Sequence, residues 1–230
     1  MADTIEYPET WSSQIPGTKA LVQQATAKKF GEAFAAALRV APRIIAPGEI
    51  RTPEVAMIAF EAATTGHKVP TTLHVSDAFL WPDRVELMDP SRINRRMVCD
   101  HKIVRGVVVL RLMRILSVGC SKYVSDYPGN VESDMMVHLK TWAHDGDVSN
   151  VRFLGDGCEK CHYEGVTGRF GIMEVVISDS KLMHDFVKHG SSVARRNYHE
   201  RADVDPPLLE TAIKHVLSGE VDPYLVGETV

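Results

Sequence analysis

The stretch from Arg43 to His74, RIIAPGEIRTPEVAMIAFEAATTGHKVPTTLH, constrains this chain more than any other. Ile44, Ile45 and Ala46 read as a short buried strand closed by Pro47 and Gly48. Thr52 before Pro53 and Glu54 reads as a helix start. A hydroxyl residue there caps free N–H groups, and proline costs nothing in the first turn. The helix runs to Thr65 and stops at Gly66, and Val69 to His74 forms a second strand. Strand, helix and strand so closely spaced make one βαβ unit, hence a parallel sheet with helices on its faces. Glu49, His67 and His74 fall at the ends of its apolar elements.

An apolar strand ending in a carboxylate is the Walker B arrangement of P-loop nucleotidases, whose sheets bind ligands at the strands' carboxyl ends. Glu49 fits that role, and His74 at the end of the next strand should reach the same edge. From pattern alone Glu49 is equally readable as a solvated turn glutamate, and each histidine as a structural one.

The flanks read as follows. Asp3 to Glu6 resembles a strand end, followed by a Gln-rich loop with Pro16 and Gly17. Phe30, Ala33, Phe34, Ala37 and Leu38 repeat at helical spacing between Lys28 and Val40. Ser76 to Met88 reads as a helix interrupted near Pro82, and Arg92 to His101 as a basic connector or helix. Ile103 to Leu116 suits a strand or a helix-to-strand transition, and Cys120 to Ser149 an insertion. A glycine-punctuated strand, Gly165 to Val176, precedes two amphipathic helices, Lys181 to His189 and Pro207 to Ser218.

Composition sets the class. Apolar residues at 44% and charged residues at 24% of 230 are globular values. A net charge of -4 offers no field for nucleic acid. The most apolar run carries Arg105, Arg111 and Arg114, which excludes a membrane span there. MADTIEYPET lacks the basic and apolar regions of a signal peptide. The expectation is a soluble cytoplasmic chain with reduced cysteines.

Several motifs in order carry a resemblance. LRVAPRIIAPGEIRTPEVAMIAFEAATTGHKVPTTLHVSDA resembles the Walker B and histidine boxes of the type II secretion and type IV pilus assembly ATPases. TIEYPE is similar to their acidic box, Arg111-Leu112-Met113-Arg114 to their basic segment, and Gly165 to Glu174 to their C-terminal motif. The resemblance implies an α/β, RecA-like P-loop NTPase fold with a cysteine-bearing insertion and a C-terminal helical region. It implies a partial ATPase core over 1–116, an insertion with a zinc module over 117–164, and a strand and helical region over 165–230. It makes Glu49 the catalytic glutamate that activates water. Glu6, Glu9, Arg51, His67 and His74 become residues near nucleotide and metal. It further implies ATP and Mg²⁺ as ligands and a hexameric motor. That motor drives pilin or pseudopilin assembly from the cytoplasmic face of the inner membrane, through a membrane platform protein.

The departures are specific. A phosphate-binding loop needs G-x-x-x-x-G-K-[ST], and no glycine of this sequence precedes a lysine. The family's aspartates after Pro42 and Arg51 are Arg43 and Thr52 here. A catalytic portion of a motor and a non-hydrolysing subunit that keeps only its oligomer and partner surfaces are both open on these grounds. The family's four-cysteine zinc module survives as Cys120, Cys158 and Cys161, with Ser117 in the first cysteine's place. Three thiolates with a fourth ligand from His162 or His138, and a lost or weakened site, are the alternatives. A zinc-ribbon nucleic-acid module is disfavoured by the negative charge and the long spacer between cysteine pairs. Cys99 fits no pair and reads as a small buried residue.

Overall fold

A computed structural model describes residues 42–126 and 131–229. The acidic box with Glu6 and Glu9, the Gln-rich loop and the helix expected over 28–40 lie outside the described residues. The described chain divides into two compact units. One takes residues up to Val107 together with Ile177–Glu200; the other takes Val108–Val176 with the residues from Arg201 onward.

The first unit holds the βαβ element. Strand β1 (Gly48–Glu49) pairs in parallel with β2 (Thr71–Thr72), and helix α1 (Pro53–Thr64) connects them. The hydrogen-bond ladder outruns the strands: Ile45 N–H donates to Lys68 O at 2.9 Å, and Ile50 N–H to Thr72 O at 2.8 Å. Helix α1 starts where the sequence says it should, with Val55 N–H donating to Thr52 Oγ1 at 3.4 Å and proline in the first turn. It buries Ala56, Ala59 and Ala62, a stripe of small residues that lets the helix lie close.

Ile44 to Ala46 does not form the buried strand expected. Ile44 makes a single parallel bridge to Lys68 and is 38% exposed. The strand proper lies further on, and Ile50 carries the burial. Among the described residues this edge pairs on one side only, so its apolar run has little to bury against.

Pro82 begins a helix rather than interrupting one. Helix α2 is Trp81–Glu86, with proline in its first turn, where no N–H is required. Helix α3 (Arg95–Val98) is capped by Asn94, whose Oδ1 accepts from Met97 N–H at 3.0 Å. Arg95 ties α2 to α3 through Asp83 and Glu86.

Strand β3 (Gly106–Leu116) pairs with a later strand, Val166–Ile177. Ser117 N–H donates to Gly165 O and Ser178 N–H to Arg105 O, so the two run antiparallel. Between them in sequence come the antiparallel pair β4 (Lys122–Tyr123) and β5 (Arg152–Phe153), and helix α4 (Ser133–Trp142). The Val166–Ile177 strand is β6. Helix α4 lies in the segment read as an insertion, yet Leu139 and Ala143 are buried and serve the second unit's core.

The C-terminal region holds four helices among the described residues where the sequence suggested two: α5 (Ser180–His189), α6 (Ser191–His199), α7 (Leu208–Leu217) and α8 (Pro223–Thr229). Helix α6, SSVARRNYH, buries only Ser191, Ala194 and Tyr198. A face so narrow leaves no clear apolar stripe. Helix α7 starts beside a buried acid: Leu208 N–H donates to Glu174 Oε2 at 3.0 Å. None of the described helices is long and apolar enough to cross a membrane.

Candidate functional site

Two clusters of chemical groups stand out, one in each unit. The first is built on the β1–β2 edge. Gly48 has φ 79°, a left-handed backbone that a side chain resists, and its carbonyl accepts the Thr71 hydroxyl at 2.9 Å. That turn delivers Glu49 at the carboxyl end of β1, opposite Thr72 in register. Side chains two residues apart share a face, so His74 falls on Thr72's side and reaches back to Glu49. His74 Nε2 lies 3.2 Å from Glu49 Oε1. Arg51, two residues beyond Glu49, donates from Nε to Oε2 at 2.6 Å.

The Arg51 hydrogen bond is the main reason the Glu49 carboxyl sits below its ordinary value; partial burial opposes it, and the charges of Arg51 and His74 assist. Glu49 is 19% exposed, whereas Arg51 and His74 are 62% and 88% exposed. The edge therefore presents an anchored carboxylate between two solvent-facing nitrogen donors. A carboxylate suits a divalent cation's water shell, and the flanking N–H groups suit phosphate oxygens.

His67 is not part of that cluster. Its Nδ1 lies 3.1 Å from Thr65 Oγ1 and 3.2 Å from Ala62 O, so it closes the C-terminal end of α1. It precedes β2 at the strand's amino end, whereas His74 follows it at the carboxyl end. Thr52, in place of the family's aspartate, serves as the α1 cap. Arg43 contributes its backbone carbonyl, which accepts from Lys68 N–H at 3.1 Å. The Thr71 and Thr72 hydroxyls both donate to Gly48 O, a role that the Thr-Thr pair before His74 does not disclose in the sequence.

The second cluster gathers Cys120, Cys158 and Cys161, whose sulfurs lie within 4.8 Å of one another. Cys161 Sγ is 3.8 Å from Cys120 Sγ and 3.7 Å from Cys158 Sγ. Ser117 Oγ is 3.7 Å from Cys158 Sγ. Four thiolates around zinc, each bonded at about 2.3 Å in a tetrahedron, stand about 3.8 Å apart, so the spacing fits that ion. Neither His138 nor His162 joins the group; His138 stacks on Trp142 instead. Burial pushes the Cys161 thiol up, but the Cys158 and Gly165 N–H groups, with the Cys158 and Ser117 side chains, bring it down to about 6. At Cys120 the Ser117 hydroxyl pulls down, while burial and the other two cysteines prevail and leave the thiol raised. His162 and Tyr163 hold left-handed backbones (φ 50° and 63°), a conformation side chains avoid unless the surroundings impose it. Cys99 stands apart, buried, with its thiol pushed up to about 12 chiefly by desolvation.

The fold has solved counterparts. The chain is similar to the pilus retraction motor PilT with bound ADP, at TM-score 0.55 and 19% identity over 86% of this chain and 43% of that one. It is also similar to the Yersinia pseudotuberculosis ATPase DotB, at TM-score 0.57 and 17% identity over 90% of this chain and 43% of that one. These likenesses give the fold, the α/β RecA-like architecture. In sequence, it is 33% identical to the type IV pilus assembly ATPase PilB of Thermus thermophilus over 94% of this chain and 23% of that protein. It is 33% identical to the type II secretion system protein E of Dickeya dadantii over 83% of this chain and 36% of that protein. The chain thus spans about a quarter to a third of the length of these relatives. With residues 1–225 matching its pattern, the chain belongs to the type II/IV secretion system protein family.

Proposed function

We propose that this chain supplies the Walker B and histidine-box portion of an ATPase site in a secretion or pilus-assembly motor. The observation that carries the reading is Glu49 held between Arg51 and His74 at the carboxyl edge of two parallel strands. In this reading residues 1–116 serve the ATPase core, 117–164 the cysteine module and 165–230 the helical region. The chain works in a hexamer at the cytoplasmic face of the inner membrane, against a platform protein, and moves pilin or pseudopilin subunits.

Bound ATP would supply the phosphoryl group, and Mg²⁺ would offset the charge on its phosphate oxygens. Glu49 is anionic at neutral pH and held low by Arg51, so it is a poor store for a proton. Its part is to orient water and oppose positive charge at the strand edge. Arg51 fixes Oε2 and His74 faces Oε1, which sets the carboxylate plane. Glu6 and Glu9 add acidic groups near the cation. His67, packed against the end of α1, is a positioning residue that links that helix to β2. The cysteine module takes zinc through Cys120, Cys158 and Cys161.

A second reading rests on one observation: no G-x-x-x-x-G-K-[ST] occurs in the 230 residues. In that reading the chain is a non-hydrolysing subunit. The test is ATP hydrolysis by the chain alone and by a chimera in which residues 1–116 replace the matching segment of a Walker A-bearing relative. The chain alone should stay at background. The chimera should hydrolyse ATP, and Glu49→Gln should lower its rate by about 10², the cost of a misplaced attacking water. A chimera that is inactive, or indifferent to Glu49→Gln, favours the second reading.

A further inference from the structure

We propose that Ser117 Oγ is the fourth ligand of the cysteine centre, making it a three-sulfur, one-oxygen site for zinc. This rests on the zinc reading above. The two halves of the centre are the same turn: Cys120 N–H donates to Ser117 O at 3.2 Å, and Cys161 N–H donates to Cys158 O at 3.1 Å. Each turn thus presents its first and fourth side chains to one side, Ser117 with Cys120 and Cys158 with Cys161. Ser117 is 1% exposed, although it directly follows the edge of β3. Its hydroxyl oxygen lies 3.7 Å from Cys158 Sγ.

An oxygen bonded at about 2.1 Å and a sulfur at about 2.3 Å stand about 3.6 Å apart across a tetrahedral zinc. The observed 3.7 Å between Ser117 Oγ and Cys158 Sγ matches that span. The serine lies where an external ligand would otherwise have to enter. A neutral hydroxyl is a harder, weaker donor than a thiolate, so the centre carries one negative charge less than four thiolates would give. It should bind zinc more loosely and exchange it faster.

The full chain, stripped of metal and reloaded with Co²⁺, tests this. Wild type should take up one Co²⁺ with the near-ultraviolet charge-transfer intensity of three thiolates. Ser117→Cys should raise that intensity by about a third, shift the visible bands to the red and slow zinc transfer to a chelator by about tenfold. Ser117→Ala should keep the charge-transfer intensity, alter the visible bands and speed zinc transfer by about tenfold. If Ser117→Ala matches wild type in bands and transfer rate, Ser117 is no ligand, though the centre stands. If Ser117→Cys gains no charge-transfer intensity, Oγ is not at the fourth corner. If no variant shows a charge-transfer band, the zinc reading itself fails and takes the inference with it.

Discussion

His74 Nε2 and Glu49 Oε1 approach to 3.2 Å across the β1–β2 pair, with the whole of α1 between them in sequence. Arg51 and His74 are both largely exposed, so the cluster should add less than about 1 kcal/mol to stability. The Glu49 carboxyl is held below its ordinary 4.5 in the folded chain. Its stabilisation is therefore fully present above that value and is lost as pH falls through the lowered one. Urea unfolding of wild type and Glu49→Gln at pH 3 and pH 6 checks the sign. The difference should be small, in favour of wild type at pH 6, and shrink at pH 3. A difference that grows on acidification means Arg51 does not hold the carboxylate in solution.

The first unit's core turns on an aromatic group. The Phe79 ring lies 6.2 Å from Phe186, 5.5 Å from Tyr198 and 5.2 Å from His199. Phe79 is 1% exposed, so Phe79→Ala should cost about 3–5 kcal/mol. Tyr198 adds a polar role, its hydroxyl oxygen accepting from Ile177 N–H at 2.9 Å. Tyr198→Phe preserves the ring and should cost about 1–3 kcal/mol, because the amide loses its partner. Chemical denaturation measures both, and equal costs for the two variants would contradict this division of labour.

What was legible in the sequence was local. Thr52, Pro53 and Gly66 bracket α1, and their chemistry acts within a turn. The alternation that puts Glu49 and His74 at one edge also follows from strand periodicity. The strand expected at Ile44 forms elsewhere, because burial depends on what covers a residue, which its own neighbours in sequence do not specify. Pro82 is ambiguous in the sequence because a proline signals either the first turn or the interruption of a helix. His67 and His74 look equivalent in the motif, yet one ends a helix and the other ends a strand. Ser117 read as a lost ligand, since a serine in a cysteine's place says nothing of where its oxygen points.

Desolvation holds Cys99 at about 12, against an ordinary value of 9.0. The folded state therefore binds that proton more tightly than the unfolded one, and the chain loses stability as pH rises from 9 toward 12. Cys99→Ala removes this alkaline loss at the expense of a small cavity. Unfolding free energies at pH 8 and pH 10.5 should show wild type losing more than the variant. Iodoacetamide at pH 8 should modify Cys99 in urea but not in the folded chain. Rapid modification of folded Cys99 would mean the thiol is solvated.

Gly155 and Gly48 separate two reasons for requiring glycine. A Cβ on Gly155 would stand 1.7 Å from the Cys120 carbonyl oxygen and 2.6 Å from its carbon, both backbone atoms that cannot step aside cheaply. Gly48 has open space around it but a φ of +79°. Gly48→Ala should therefore cost about 1–2 kcal/mol of local backbone strain. Gly155→Ala should cost about 2–3 kcal/mol through overpacking. It should also displace the turn that carries Ser117 and Cys120, so Co²⁺ uptake should fall with it and stay intact in Gly48→Ala. Denaturation midpoints and Co²⁺ absorption on the two variants make the comparison. If Gly155→Ala takes up the metal as wild type does, the close approach of Gly155 to Cys120 is not what sets the geometry of the cysteine centre.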